Sequence, residues 1–143
     1  MFGPPLGDAQ SGADGVLAQT FQNVRMELHH AAAGPRVRLT PLGAAVAPTD
    51  HPPEASQEGR CFAETGFCLV YDFLDFYDAH GGEAVFGVPR TPLFYDPEAG
   101  ALVQYLDGAR FEWDTAQQGV HLSPLGRWLV ASRIPGYSDA GGD

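Results

Sequence analysis

The sequence predicts an α+β fold. It consists of tandem β-hairpin repeat units with short helices, and one longer amphipathic helix precedes the second unit. Three observations predict it. The chain repeats itself at an offset near 84 residues. Each copy alternates apolar and polar residues about a turn signal, the pattern of a half-buried hairpin. One stretch between the copies has apolar residues at helical spacing.

The copies are read as follows. Phe2-Gly3-Pro4-Pro5 resembles Phe86-Gly87-Val88-Pro89. Gly15-Val16-Leu17-Ala18-Gln19 resembles Gly100-Ala101-Leu102-Val103-Gln104. Val24-Arg25-Met26-Glu27-Leu28 matches Ala109-Arg110-Phe111-Glu112-Trp113, and Val37-Arg38-Leu39-Thr40-Pro41-Leu42-Gly43 matches Val120-His121-Leu122-Ser123-Pro124-Leu125-Gly126. The offset drifts between 83 and 85, so small insertions fall between blocks, where loops tolerate them. The division is a first, incomplete unit over 1–46, a linker over 47–60, a second unit with its leading helix over 61–132, and a flexible tail over 133–143. The linker is assigned from its Pro, Glu, Ser and Gln content. The first copy has no helix before its Phe-Gly pair and reads as beginning in mid-unit.

In the second copy Asp107-Gly108 is a two-residue turn signal that sets the pairing Leu106–Ala109, Gln104–Phe111 and Leu102–Trp113. One face then carries Leu102, Gln104, Leu106, Ala109, Phe111 and Trp113. The other carries Val103, Tyr105, Arg110 and Glu112. Gln22-Asn23 is the equivalent turn in the first copy, with Leu17, Gln19, Phe21, Val24, Met26 and Leu28 on the apolar face and Thr20, Arg25 and Glu27 on the polar one. The agreement of both copies supports the register. A third strand follows each hairpin, at Val37–Leu39 and Val120–Leu122. Thr40-Pro41 and Ser123-Pro124 then read as helix starts, a hydroxyl N-cap followed by proline at N1. Leu125, Trp128 and Leu129 form the inner face of the last short helix. The longer helix is read over Leu69 to His80, with Leu69, Phe73, Phe76 and Tyr77 on one stripe and Asp72, Asp75 and Asp78 mainly off it; Gly81-Gly82 ends it.

Composition limits the function. Eight basic against eighteen acidic residues, net charge −10, argue against nucleic acid and against anionic lipid. No apolar run approaches the roughly 20 residues of a membrane span, and the first residues lack the pattern of a signal peptide. All eight basic residues are arginine, which excludes a Walker A lysine, a Schiff-base lysine and a Ser–Lys dyad. The five histidines show no metal-ligand pattern, and Cys61-x6-Cys68 is not a zinc spacing, so neither metal nor cofactor is expected. No nucleophile elbow is present, and Ser123 is explained as a cap.

Phe73-Leu74-x-Phe76-Tyr77-x-x-His80-Gly81-Gly82-x-x-Val85-Phe86-Gly87-x-Pro89-x-Thr91, then Gly100-x-x-x-Gln104-Tyr105, then Arg110-Phe111-Glu112-Trp113, resembles the LGFP-like repeat of secreted and surface-attached bacterial proteins. It resembles most a variant common in Chloroflexi extracellular proteins. The resemblance covers Cys61–Leu129 well and Phe2–Val46 as a half unit. It departs at Phe67, where the variant usually has histidine, and in the missing first helix. It implies a non-catalytic accessory module, extracellular or at the cell surface. It also favours a Cys61–Cys68 disulfide over two free thiols.

The expected function is therefore attachment to cell-envelope glycan or polysaccharide. Self-association as a structural subunit of a surface assembly is the alternative, and a hydrolase ranks behind both. Partners would be an envelope glycan or a protein, the chain itself included. Tyr105, Arg110, Glu112 and Trp113 are the first candidates for binding. Gln104, Gln19, Arg25 and Glu27 follow, although a structural hydrogen bond for each glutamine and a plain ion pair for each Arg–Glu couple are the simpler expectations.

Overall fold

The computed structural model describes residues 1–12, 14–53 and 58–137. Strands β1 (Gln10–Ser11), β2 (Leu17–Thr20), β3 (Arg25–Ala31) and β4 (Gly34–Leu39) form one antiparallel sheet in that order, followed by the short helix α1 (Leu42–Val46). A two-stranded ribbon of β5 (Gly59–Cys61) and β6 (Cys68–Val70) leads into α2 (Tyr71–Ala79) and then α3 (Gly82–Phe86). A second four-stranded sheet follows, of β7 (Phe94–Asp96), β8 (Ala101–Tyr105), β9 (Arg110–Asp114) and β10 (Gly119–Leu122) in sequential order, and then α4 (Leu125–Val130). Mixed helices and antiparallel sheets make the fold α+β.

The hairpin registers follow from the turns. Gln19 faces Met26 and Thr20 faces Arg25; Gln104 faces Phe111 and Tyr105 faces Arg110. Each turn is clamped by the segment ahead of it. The Asn23 N–H donates to Phe2 O and the Gln22 N–H to Pro4 O, while the Gly108 N–H donates to Phe86 O and the Asp107 N–H to Val88 O. The extra strands β1 and β7 carry too little periodicity to be read in advance. Each is two or three residues long and pairs along the outer edge of its sheet.

The two halves exchange their terminal helices. Helix α1 of the first half docks on the turn of the second, where the Ala44 N–H donates to Asp107 O over 3.1 Å. Helix α4 of the second half docks on the turn of the first, where the Arg127 N–H donates to Gln22 O over 3.1 Å. This approach needs glycine. A Cβ on Gly43 would stand 2.0 Å from Leu106 O, and one on Gly126 would stand 1.6 Å from Phe21 O. Leu42, Leu125, Leu129 and Ile134 bury together between the docked helices. A larger core joins Val24 of the first half to Phe62, Phe73, Tyr77, Phe86 and Phe111 of the second.

Several expectations are corrected. Leu69 lies in β6, not in the long helix, because Arg60 pairs with it across the ribbon; α2 starts two residues later. Helix α2 ends ahead of Gly81-Gly82 as expected, and past Gly81 the chain enters a further short helix, α3, that the sequence reading did not include. Thr40 and Ser123 are not N-caps. Pro41 (φ −75°, ψ 57°) and Pro124 (φ −81°, ψ 63°) hold the conformation of inverse γ-turns, in which the Leu42 and Leu125 N–H groups donate to Thr40 O and Ser123 O. The hydroxyls are thereby free for other partners. The face of the second sheet read as polar is buried: Val103 is fully enclosed, and Arg110 is 2% exposed. Ordered packing runs past residue 132, since Ile134 is buried and Tyr137 packs beside it; residues 138–143 lie outside the described residues. In the linker, His51 stacks on Phe94 with ring centroids 4.0 Å apart, and Gly59–Arg60 belong to β5; residues 54–57 lie outside the described residues. Cys61 and Cys68 stand opposite each other in the ribbon and form a disulfide.

Candidate functional site

Arg110 organises the most elaborate polar cluster. It points from the middle of the second sheet towards α4, and its side chain is almost wholly enclosed. One terminal nitrogen donates to Glu112 Oε1 at 2.9 Å and to Ser123 Oγ at 2.7 Å. The other donates to Asp96 Oδ2 at 2.5 Å. The Ser123 hydroxyl in turn donates to Glu112 Oε1 at 3.0 Å. The strand β9 spacing puts Arg110 and Glu112 on one face, β7 brings Asp96 alongside, and the γ-turn at Pro124 turns Ser123 inward. A buried cation needs this many partners, because an unpaired one would be strongly unfavourable. The Nε of Arg110 nonetheless has no acceptor among the described residues.

Aromatic rings flank the guanidinium. Its carbon lies 5.2 Å from the Tyr105 ring centre and 5.4 Å from that of Trp128, within cation–π range of both. Arg133 lies over Trp128 as well, at 5.3 Å. An open groove of about 490 Å³ runs past Tyr105, Arg110, Trp128, Asp96, Glu98 and Glu112. At its rim, His121 Nε2 lies 3.3 Å from Glu112 Oε2, and its Nδ1 lies 3.7 Å from Asp114 Oδ2.

The first half holds the polar part of this cluster without the aromatic part. Arg25 donates to Glu27 Oε2 at 3.1 Å and to Thr40 Oγ1 at 2.8 Å, and the Thr40 hydroxyl donates to Glu27 Oε2 at 2.6 Å. Glu27 Oε1 also meets His29 Nε2 at 2.7 Å. Burial pushes the Glu27 carboxyl up, but the Thr40 hydroxyl, the His29 ring and the Arg25 charge together hold it below its usual range. In register, Thr20 stands where Tyr105 does and Ala45 where Trp128 does. The cavity beside Arg25 is only about 70 Å³.

The expected residues therefore separate. Tyr105, Arg110 and Glu112 share the groove. Arg25 and Glu27 form their own smaller cluster. Trp113 is half-buried at the edge of the main core, on the other face of β9. Gln104 is fully buried and donates to Cys68 O at 2.9 Å and Thr91 O at 2.8 Å, so it ties the sheet to the ribbon ahead of α2. Gln19 is half-buried and donates to Gly7 O at 2.9 Å. Sequence reasoning missed Trp128 and Asp96 as partners of Arg110, since both come from segments distant in the chain.

Among the described residues, no group of three His, Cys, Asp or Glu side chains is placed to hold a metal ion. None of the helices there is long and apolar enough to cross a membrane. No protein-family model, curated protein or solved structure matches this chain.

Proposed function

We propose that the chain is a non-catalytic module that attaches to envelope glycan or another polysaccharide through the groove over Arg110, and that its two halves are copies of one LGFP-like unit of which only the second carries the site. The observation that carries this reading is the pairing of Tyr105 and Trp128 with the carboxylates of Asp96, Glu98 and Glu112 along one open groove. A sugar offers C–H faces to aromatic rings and hydroxyls to charged acceptors, and such a groove meets both. Arg110 fixes the rings and two of the acids, so they are held in place before any ligand arrives, which lowers the cost of binding. Asp96 and Glu112 are both engaged with that cation, which suits a holding role better than proton transfer. The Cys61–Cys68 disulfide is consistent with an extracellular or surface location, where such bonds persist.

The test is co-sedimentation of the purified chain with insoluble peptidoglycan and with a panel of polysaccharides. Binding to at least one should weaken on Trp128→Ala and Glu98→Ala, with the thermal midpoint of Glu98→Ala unchanged. Absence of binding across the panel, or equal binding by both variants, would overturn the proposal.

A further inference from the structure

The two sheets have the same strand order and the same register, yet the apolar face of the first is left more open at one end. In the second sheet α2 lies over that face. Phe73 and Phe76 meet Phe111 with ring centroids 6.2 and 5.0 Å apart, and Trp113 with its cross-strand neighbour Val120 packs into the same core. The corresponding residues of the first sheet are Met26, Leu28 and Val37, with Leu28 opposite Val37 as Trp113 is opposite Val120. Val37 is 60% exposed where its counterpart Val120 is half-buried, and an apolar hollow of about 200 Å³ opens between it and Leu17, which is as exposed as its own counterpart Leu102. Helix α3 reaches β4 beside Arg38 and Leu39, and among the described residues no helix residue lines the hollow at Leu28 and Val37.

The hollow continues an interface that already exists. Phe21, Met26 and Leu39, on the same face, pack against the core shared with α2 and the second sheet. A hydrogen-bonding group marks the same place. In the second sheet the Gln104 amide donates to Thr91 O and also to Cys68 O, on the strand that runs into α2. In the first sheet the Gln19 amide makes only the bond to Gly7 O, so its second N–H has no acceptor among the described residues.

We infer that the outer end of this face is a docking surface for an amphipathic helix of another polypeptide, entered by an extended residue whose carbonyl accepts the free Gln19 N–H. The occupant resembles α2 in chemistry, with two aromatic residues on one stripe and acids on the opposite face. It lies on Met26, Leu28 and Val37 as Phe73 and Phe76 lie on Phe111. This surface belongs to the first sheet, and the groove over Arg110 belongs to the second, so either assignment can fail without the other.

The probe is a synthetic peptide spanning residues 67–81 with Cys68→Ser, titrated into the isotope-labelled, disulfide-bonded full chain and followed by NMR. Saturable shifts confined to Leu17, Gln19, Leu28 and Val37 are expected. Val37→Glu should weaken the peptide about tenfold or more, in line with loss of one buried aliphatic contact and a charge placed in the hollow. Val37 is an exposed side chain, and an unchanged thermal midpoint will show that the variant folds. Three results would overturn the inference: no shifts up to millimolar peptide, shifts only around Phe111 and Trp113, or light scattering that shows the hollow closed by a second copy of the chain.

Discussion

Arg110 and Thr40 show how single side chains set stability here. Arg110 is buried between two carboxylates and two rings. Arg110→Met should cost about 3–5 kcal/mol, because Asp96 and Glu112 would be left without their cation; urea unfolding measures it. Thr40 acts through Glu27. The folded pKa of Glu27 lies below its unfolded value. The stability it contributes is complete above the unfolded value and is lost as pH falls through the folded one. Thr40→Val removes a hydroxyl donor, so the Glu27 pKa should rise, as an NMR titration would read. Stability should then fall less between neutral and acid pH than in the parent, and the two curves should converge at low pH. Both arginine clusters were half legible in the sequence. Strand alternation puts each arginine beside its glutamate. It cannot say that this face is buried, because burial comes from α4 and β7, which arrive from elsewhere in the chain.

At the level of elements, the hairpins and their third strands were legible because turn chemistry and period-two alternation agree. The boundaries that failed did so where a tertiary partner overrides local pattern. Leu69 fits the α2 stripe by spacing, yet the ribbon with Gly59–Cys61 claims it. Thr-Pro and Ser-Pro fit a helix start, yet each hydroxyl is claimed by an Arg–Glu pair. The disulfide closes that ribbon. In the chain-entropy model its short loop contributes roughly 2.5 kcal/mol, so Cys61→Ser with Cys68→Ser should lower unfolding stability by about that amount. Gly126→Ala should be worse. Its methyl would strike the Phe21 carbonyl, which is backbone and cannot rotate away. A loss of about 3 kcal/mol or more is expected, with a fall in thermal midpoint on the order of 10 °C.

Taken as a whole, the molecule is two sheets locked through reciprocal docks and a common core. The sequence pattern called for two hairpin sheets but not that each would carry the helix that follows the other, since equal spacing is compatible with side-by-side stacking. Reciprocity predicts one cooperative transition. Gly43→Ala strikes the turn of the second half and Gly126→Ala that of the first. Each variant should nonetheless unfold in a single step, with far-ultraviolet circular dichroism and tryptophan fluorescence coincident. Two separated transitions would show that the halves melt independently.

The dock of α4 also decides how the molecule would carry tension. The Gln22-Asn23 turn receives the Arg127 N–H on one side, and on the other the Asn23 side-chain amide donates to Met1 O over 2.9 Å. The first residue and the last helix therefore meet at one turn. A force that separates Met1 from α4 loads that turn, the tip of the β2–β3 hairpin, before it reaches the paired strands. The seam at the turn would give way first, and the hairpin would unzip only afterwards.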